Sequence, residues 1–328
     1  MNSNKKISTE INQRKKLVIL LPAYNEEELI GETIKRIPRK IFGVEKVEVL
    51  VVDDGSIDKT VDMALNAGAD KIVSQGKNLG VASAFMTGIR NAISMNADIL
   101  VTLDADCQFP PEQISSFIVP ILNNQFDVVS GARFVNEIPA SYPRTKLWGN
   151  RFFSKMVSWV TGQKFIDTQT GFRAYSRDAI LNISIISEYN FAQEVLIDLV
   201  FKGFKICEVP VKVTFDPKRK SRIVRNVFSY SFKATSTILR SLLYHRPILG
   251  FGLFGAFLCG LGIIAKIFTI TGILPISDLL ESGLIILGIV SFMMGLFASI
   301  VFKRHAFTER ELRSRLRELE KFREERKF

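Results

Sequence analysis

Two charge-free apolar runs near the C-terminus constrain this chain most: residues 247–265, nineteen long, and residues 283–302, twenty long. At about 1.5 Å per residue, twenty helical residues span roughly 30 Å, the thickness of a bilayer's hydrocarbon core. The pattern predicts a hairpin of two transmembrane helices. Glycines at 250, 252, 255, 260, 262, 288 and 295 suit close packing between membrane helices. Lys233, Arg240 and Arg246 precede the first span and Lys303, Arg304 and Arg310 follow the second, whereas the turn at 271–282 holds only Asp278 and Glu281. The positive-inside rule therefore places both ends, and the large N-terminal region, in the cytoplasm.

The formal charge of +11 favours anionic partners such as phosphates or an acidic membrane surface. The basic residues gather at the membrane boundary and in the tail, so no nucleic-acid partner is expected. Three scattered cysteines and two histidines exclude a disulfide framework and a zinc cluster. Five domains are expected: a flexible tail at 1–15, a globular domain at 16–222, a juxtamembrane amphipathic helix at 223–246, the hairpin at 247–302 and a charged cytoplasmic helix at 303–328.

In the globular part, β-branched runs at 17–21, 47–52, 71–73, 99–103 and 127–130 alternate with helical patterns at 28–37, 59–67, 79–95 and 111–123. That alternation predicts an α/β fold with a mainly parallel sheet covered on both faces. Ligands of such sheets bind outside the carboxyl ends of the strands. Three polar clusters follow predicted strands: Pro22-Ala23-Tyr24-Asn25-Glu26, Asp53-Asp54-Gly55-Ser56 and Asp104-Ala105-Asp106-Cys107-Gln108. Extended alternation puts Asp104 and Asp106 on one side, with small Ala105 between them. Paired carboxylates suit Mg²⁺ or Mn²⁺ bound together with substrate phosphate oxygens. No Gly-x-Gly-x-x-Gly or Walker lysine motif follows the first strand, which removes the dinucleotide and P-loop readings.

These three clusters, with Gly131-Ala132-Arg133-Phe134 and Asp167-Thr168-Gln169-Thr170-Gly171-Phe172-Arg173, resemble in their order the polyprenyl-phosphate glycosyltransferases of glycosyltransferase family two, such as dolichol-phosphate mannose synthases. The resemblance implies a GT-A (Rossmann-like) cytoplasmic domain ahead of the transmembrane hairpin. It implies a metal-dependent, inverting transfer from a UDP- or GDP-sugar to a polyprenyl (dolichyl-type) phosphate at the cytoplasmic face. The cell membrane is the expected location, or the endoplasmic reticulum in a eukaryote, and a homo-oligomer is left open. By the same likeness Pro22, Tyr24, Glu26, Val51 and Asp53 would hold base and ribose. Asp104, Ala105 and Asp106 would meet the diphosphate, with Asp104, Asp106 and Gln108 around the metal.

A phosphate monoester is largely dianionic at neutral pH and is already a nucleophile. A strong general base is thus not obligatory. Asp106 and Asp167 are the candidate catalytic carboxylates, Asp167 as base, as orienting group or as a structural carboxylate. Arg133 and Arg144 are candidates for gathering the acceptor phosphate, as are Lys218, Ser221 and Arg222 before the membrane. That last run serves equally for anionic headgroups. Glu194 lies on a predicted helix that faces the site or solvent. The chain departs from the family in having Val81 after Gly80 and no glycine in the basic run. Two other readings stand beside the main one: transfer to a lipid-linked glycan, and a non-catalytic scaffold that binds nucleotide sugar.

Overall fold

The computed structural model describes residues 15–135, 138, 142–185, 191–214, 227–274 and 277–325. The chain divides into two compact units, Met1–Ile238 and Leu239–Phe328.

The first unit is built on β1 (Lys15–Ala23), β2 (Val44–Asp53), β3 (Lys71–Ser74), β4 (Ile99–Thr102), β5 (Val128–Ala132), β6 (Arg173–Ser176) and β7 (Ile206–Pro210). They form one sheet in the order β3-β2-β1-β4-β6-β5-β7. All five predicted strands are present, each within a few residues of its expected bounds. The sheet is mixed: β6 runs antiparallel to both β4 and β5, and the other pairings are parallel. A strand of four residues inside a motif carries too little periodicity to be read from sequence, so β6 goes unannounced there, and the short β7 with it.

Central β1 is buried along Leu17–Leu21, as a strand covered on both faces must be. Leu17, Ile19 and Leu21 join one apolar cluster with Ile30 and Ile34 of α1 (Ile30–Arg36) and Ile114, Phe117 and Ile118 of α4 (Ile114–Leu122). The alternate residues Val18 and Leu20 are also buried, on the face where α3 (Val81–Ser94) packs against β1 and β2. Buried Ala82, Phe85, Ile89 and Ala92 recur on α3 at the spacing of one helical face. Fully burying a large side chain such as Phe85 or Ile89 stabilises the fold by about 1.5–3 kcal/mol. Phe117 stacks on Phe172 at 3.9 Å between ring centres, locking α4 to the segment that leads into β6. Further helices are α2 (Thr60–Asn66), α5 (Arg144–Thr161), α6 (Arg177–Asn182) and α7 (Phe191–Phe201).

Helix α8 (Val227–His245) spans the division between the units and covers much of the predicted juxtamembrane segment. In the second unit, α9 (Pro247–Ile270) and α10 (Asp278–Glu325) contain stretches long and apolar enough to cross a membrane, with mean hydropathy 2.3 and 2.6 and only 17% and 22% buried. Core helices of a soluble protein would be mostly buried. Gly255 and Gly288 bring the two backbones together: a Cβ on Gly255 would lie 2.5 Å from the Gly288 carbonyl oxygen. Helix α9 continues through Lys266 to Ile270, and α10 begins at Asp278, inside the expected turn at 271–282. Across the turn the Lys266 ammonium pairs with Asp278 at 3.0 Å and Glu281 at 2.9 Å, joining the end of α9 to the start of α10. At its other end α10 passes without a break from the span into the charged tail.

Candidate active site

The loops after β1, β2 and β4 meet at one rim. Backbone N–H groups of Asn25 and Glu26 donate to the hydroxyls of Ser56 (2.9 Å) and Thr60 (2.7 Å). In return Ile57 N–H donates to Asn25 Oδ1 at 2.9 Å and Lys59 N–H to Glu27 Oε2 at 3.0 Å. The first two clusters are therefore one cross-laced wall, on which Tyr24 and Glu26 are half-exposed.

Asp53 and Asp54 build that wall from inside. Asp53 accepts from Ser56 N–H at 3.0 Å and from the Ser74 hydroxyl at 2.9 Å, fixing the turn to the end of β3. Asp54 accepts from Leu79 N–H (2.7 Å) and Gly80 N–H (2.9 Å), tying in the turn before α3. Burial pushes the Asp54 carboxyl above its usual range despite those two donors. Directly after them Gly55 has φ +76°, and a Cβ there would sit 2.4 Å from the Lys77 carbonyl carbon. Both the backbone angle and the space demand glycine.

At the end of β4, the strand stops at Thr102, and Asp104–Cys107 lie in the turn that follows. The expectation that extended alternation aligns the two carboxylates is corrected here: a turn, with Cys107 at φ +56°, places them. Asp104, Asp106 and Gln108 are half-exposed, and Ala105 is buried. Gln108 N–H donates to Asp106 Oδ1 at 3.1 Å. The Thr33 hydroxyl donates to the Ala105 carbonyl at 3.1 Å, anchoring the turn to α1. Asp104 lies against Gly171, where a Cβ would come within 2.8 Å of a carboxylate oxygen. A cleft beside Asp104 is lined by Pro22, Leu103, Thr170, Gly171, Phe191 and Ala192 among others.

After β5, Arg133 meets Asp167. Asp167 is fully buried and accepts from Arg133 Nε at 2.6 Å, Nη2 at 3.1 Å and N–H at 3.1 Å. Burial alone would raise the Asp167 carboxyl, yet the charge and hydrogen bonds of Arg133 hold it below its ordinary value. Burial likewise opposes the Arg133 charge, and Asp167 outweighs it, so the guanidinium is held above its usual value with smaller contributions from Tyr142 and Asp104. Glu208 on β7 accepts the N–H groups of Ile166 and Asp167, each at 2.8 Å. Buried Arg173 joins the Thr168 carbonyl (3.0 Å) to the Ala192 carbonyl (2.5 Å). The whole 166–173 segment is thereby fixed beside Asp104.

Among the described residues, no three His, Cys, Asp or Glu side chains converge into a metal cage. Two half-exposed carboxylates on one turn fit a cation that completes its oxygen ligands from a bound diphosphate.

Residues 18–183 match the sequence profile of glycosyl transferase family 2. The chain is a family 2 glycosyltransferase. It is 32% identical over 195 residues to a dolichyl-phosphate hexose transferase of Haloferax volcanii, covering 60% of this chain and 81% of that one. It is 30% identical over 226 residues to a UDP-N-acetylglucosamine–dolichyl-phosphate N-acetylglucosaminyltransferase of Methanococcus voltae, covering 61% and 86%. Among solved structures, glucosyl-3-phosphoglycerate synthase of Mycobacterium tuberculosis, in complex with Mn²⁺, UDP and phosphoglyceric acid, superposes with a TM-score of 0.57 at 20% identity. That match covers 73% of this chain and 82% of the synthase, and it establishes the shared GT-A fold.

In this glycosyltransferase the rim brings together Pro22, Tyr24, Glu26, Asp104, Asp106 and Gln108. Val51, expected at the nucleotide, is fully buried in the apolar cluster, and its backbone is paired on both sides, with β1 and β3. Asp53 is 2% exposed and turned to its internal partners. Arg133 is paired to Asp167, Arg144 is exposed at the start of α5, and Glu194 is buried on α7. Lys218, Ser221 and Arg222 lie outside the described residues. Sequence reasoning passes over Asp54, Gly171 and Glu208. The first two sit inside motifs it quotes; Glu208 has no signal, since its role exists only once β7 lies beside β5.

Proposed function

We propose that this glycosyltransferase moves a sugar from a UDP- or GDP-sugar to a polyprenyl phosphate of the dolichyl type at the cytoplasmic membrane face. The observation that carries the reading is the half-exposed Asp104–Asp106 turn, on one rim with the Pro22–Glu26 loop, in a chain that also bears two membrane-length apolar helices. Two dolichyl-phosphate sugar transferases among its relatives support the acceptor class.

An acceptor phosphate oxygen attacks the anomeric carbon while the bond from that carbon to the donor's diphosphate breaks. The nucleoside diphosphate leaves with the bonding pair, and a single displacement inverts the anomeric centre. The acceptor enters as a dianion, so no side chain need remove a proton. Asp104 and Asp106, with Gln108 beside them, would hold Mg²⁺ or Mn²⁺, which when bound offsets the charge of the departing diphosphate. Arg133 presents a fixed positive charge near the acceptor phosphate. Asp167 acts as its positioning residue rather than as a base, because its carboxylate is committed to the guanidinium.

Purified full-length protein, given Mn²⁺ or Mg²⁺, labelled nucleotide sugars and dolichyl or undecaprenyl phosphate, should yield a lipid-linked sugar. Absence of such a product with every common donor refutes the reading.

A further inference from the structure

Within the second unit, α9 and α10 bound a cavity of about 800 Å³, none of whose residues belongs to the site described above. That volume is in the range of sites that take small-molecule ligands, roughly 300–1,000 Å³. Most of the lining is apolar, and Gly252, Gly255, Ala256 and Gly288 leave room that larger side chains would fill. At one end the lining turns polar, with Arg246, Ser299 and Lys303. The Tyr244 and Phe302 rings meet there at 4.7 Å, so Arg246 and Lys303, close to them in the chain, share one mouth. Ser299 is 8% exposed and lies one helical turn before Lys303. No Asp or Glu occurs in residues 217–277 or 282–308, so the cationic mouth has no acidic residue close by in the chain. From Pro247 to Cys259 the lining follows α9 for twelve residue steps, about 18 Å of helix. One leaflet is about 15 Å deep, half of the roughly 30 Å hydrocarbon core. The cavity thus runs from a charged membrane edge to the bilayer midplane.

We propose that this cavity holds one anionic phospholipid, its phosphate at Arg246 and Lys303 and an acyl chain lying along Gly252 and Ala256 toward Cys259. Charge and depth select this occupant. Two cations with no neighbouring carboxylate complement a net-anionic headgroup, whereas a zwitterionic lipid brings a cation of its own to the same mouth. A polyprenyl chain is longer than a leaflet is deep and would overrun the closed end. A second copy paired across a two-fold axis would set the cations of both mouths against each other. The inference rests on the reading of α9 and α10 as membrane spans and holds whatever sugar and acceptor the enzyme uses.

The test is native mass spectrometry of full-length protein, purified in mild detergent and incubated with phosphatidylglycerol, phosphatidylcholine or dolichyl phosphate. One phosphatidylglycerol per chain should be retained, about tenfold in preference to phosphatidylcholine. Arg246→Gln combined with Lys303→Gln should lower that retention by about tenfold or more. Gly252→Leu should do the same by filling the cavity, since a Cβ there lies 3.7 Å from the Phe292 ring, an ordinary contact that leaves the hairpin packed. Gly260→Leu, outside the cavity and with nothing within 4 Å of its Cβ, should keep the lipid. Should the Gly252 variant lose its monodisperse peak, the glutamine pair, which leaves the helix contact untouched, decides alone. Equal retention of phosphatidylcholine, or undiminished retention by the glutamine pair, identifies unselective lipid and overturns the proposal. Dolichyl phosphate that displaces phosphatidylglycerol assigns the cavity to the acceptor, and a lipid-free dimer assigns it to a second copy; either result also overturns it. Protein that does not float with vesicles removes the membrane reading and this inference together.

Discussion

Arg133 grips Asp167 through two parallel hydrogen bonds, Nε to Oδ2 at 2.6 Å and Nη2 to Oδ1 at 3.1 Å, and the carboxylate is wholly buried. Removing one partner leaves the other as an uncompensated charge, at a cost of about 3–5 kcal/mol. Asp167→Asn should therefore lower the melting temperature of the detergent-solubilised chain and reduce transfer by about 100-fold or more. The double variant Asp167→Asn, Arg133→Gln should be less destabilised than the sum of the singles. Strict additivity in a double-mutant cycle would show that the pair is not one unit.

The same pair sets a pH dependence. Arg133 depresses the native Asp167 pKa. A depressed carboxyl stabilises the fold at every pH above its unfolded-state value, about 3.9, and that contribution is lost as pH falls through the native value. The difference in melting temperature between wild type and Asp167→Asn should stay constant from about pH 5 to 8 and close below about pH 4. A difference that instead closes on the alkaline side contradicts the assignment.

Asp104→Asn and Asp106→Asn should each cut transfer by about two orders of magnitude or more, as loss of a metal ligand does. Both carboxylates are half-exposed, so the melting temperature should hardly move. Titration with Mn²⁺ in the presence of UDP or GDP, followed by calorimetry, should show metal-dependent nucleotide affinity in wild type and its loss in the variants.

Gly171→Ala tests the wall opposite those carboxylates. The new methyl would sit 2.8 and 3.0 Å from the two Asp104 oxygens. The carboxylate must turn away, and misplacement of this kind near reacting groups costs about 10²-fold in rate. Gly55→Ala, by contrast, meets Lys77 backbone at 2.4 Å and should act on stability before activity.

In the hairpin, Gly255→Leu should separate α9 from α10, since the Gly288 carbonyl leaves no room for a side chain. Size-exclusion chromatography in mild detergent should show aggregation or loss of the monodisperse peak. Leu253→Ala on the same helix removes a side chain that is 51% exposed, away from this contact, and should leave the profile unchanged.

The parts that were legible in the sequence follow from periodicity. β1, β2 and β4 are buried on both faces and so read as apolar runs, interrupted in β2 by Glu48, and α3 shows a clean helical stripe. The rim was legible because loops after parallel strands must gather at one edge. Long-range partnership was not. Nothing in the local pattern of Arg173–Ser176 announces an antiparallel strand, and nothing near Glu208 says that it holds the N–H groups of Ile166 and Asp167, far back in the chain.

The excursion between β5 and β6 is stapled where it leaves and where it returns: Gly131 N–H donates to the Phe172 carbonyl at 2.9 Å, and Arg133 clasps Asp167. Helix α5 lies inside that closed neck and also packs through its own buried side, so its place is set twice over, by the staple at its two ends and by its core contacts. Exposed positions on α5 can therefore be exchanged without shifting the Asp104–Asp106 turn.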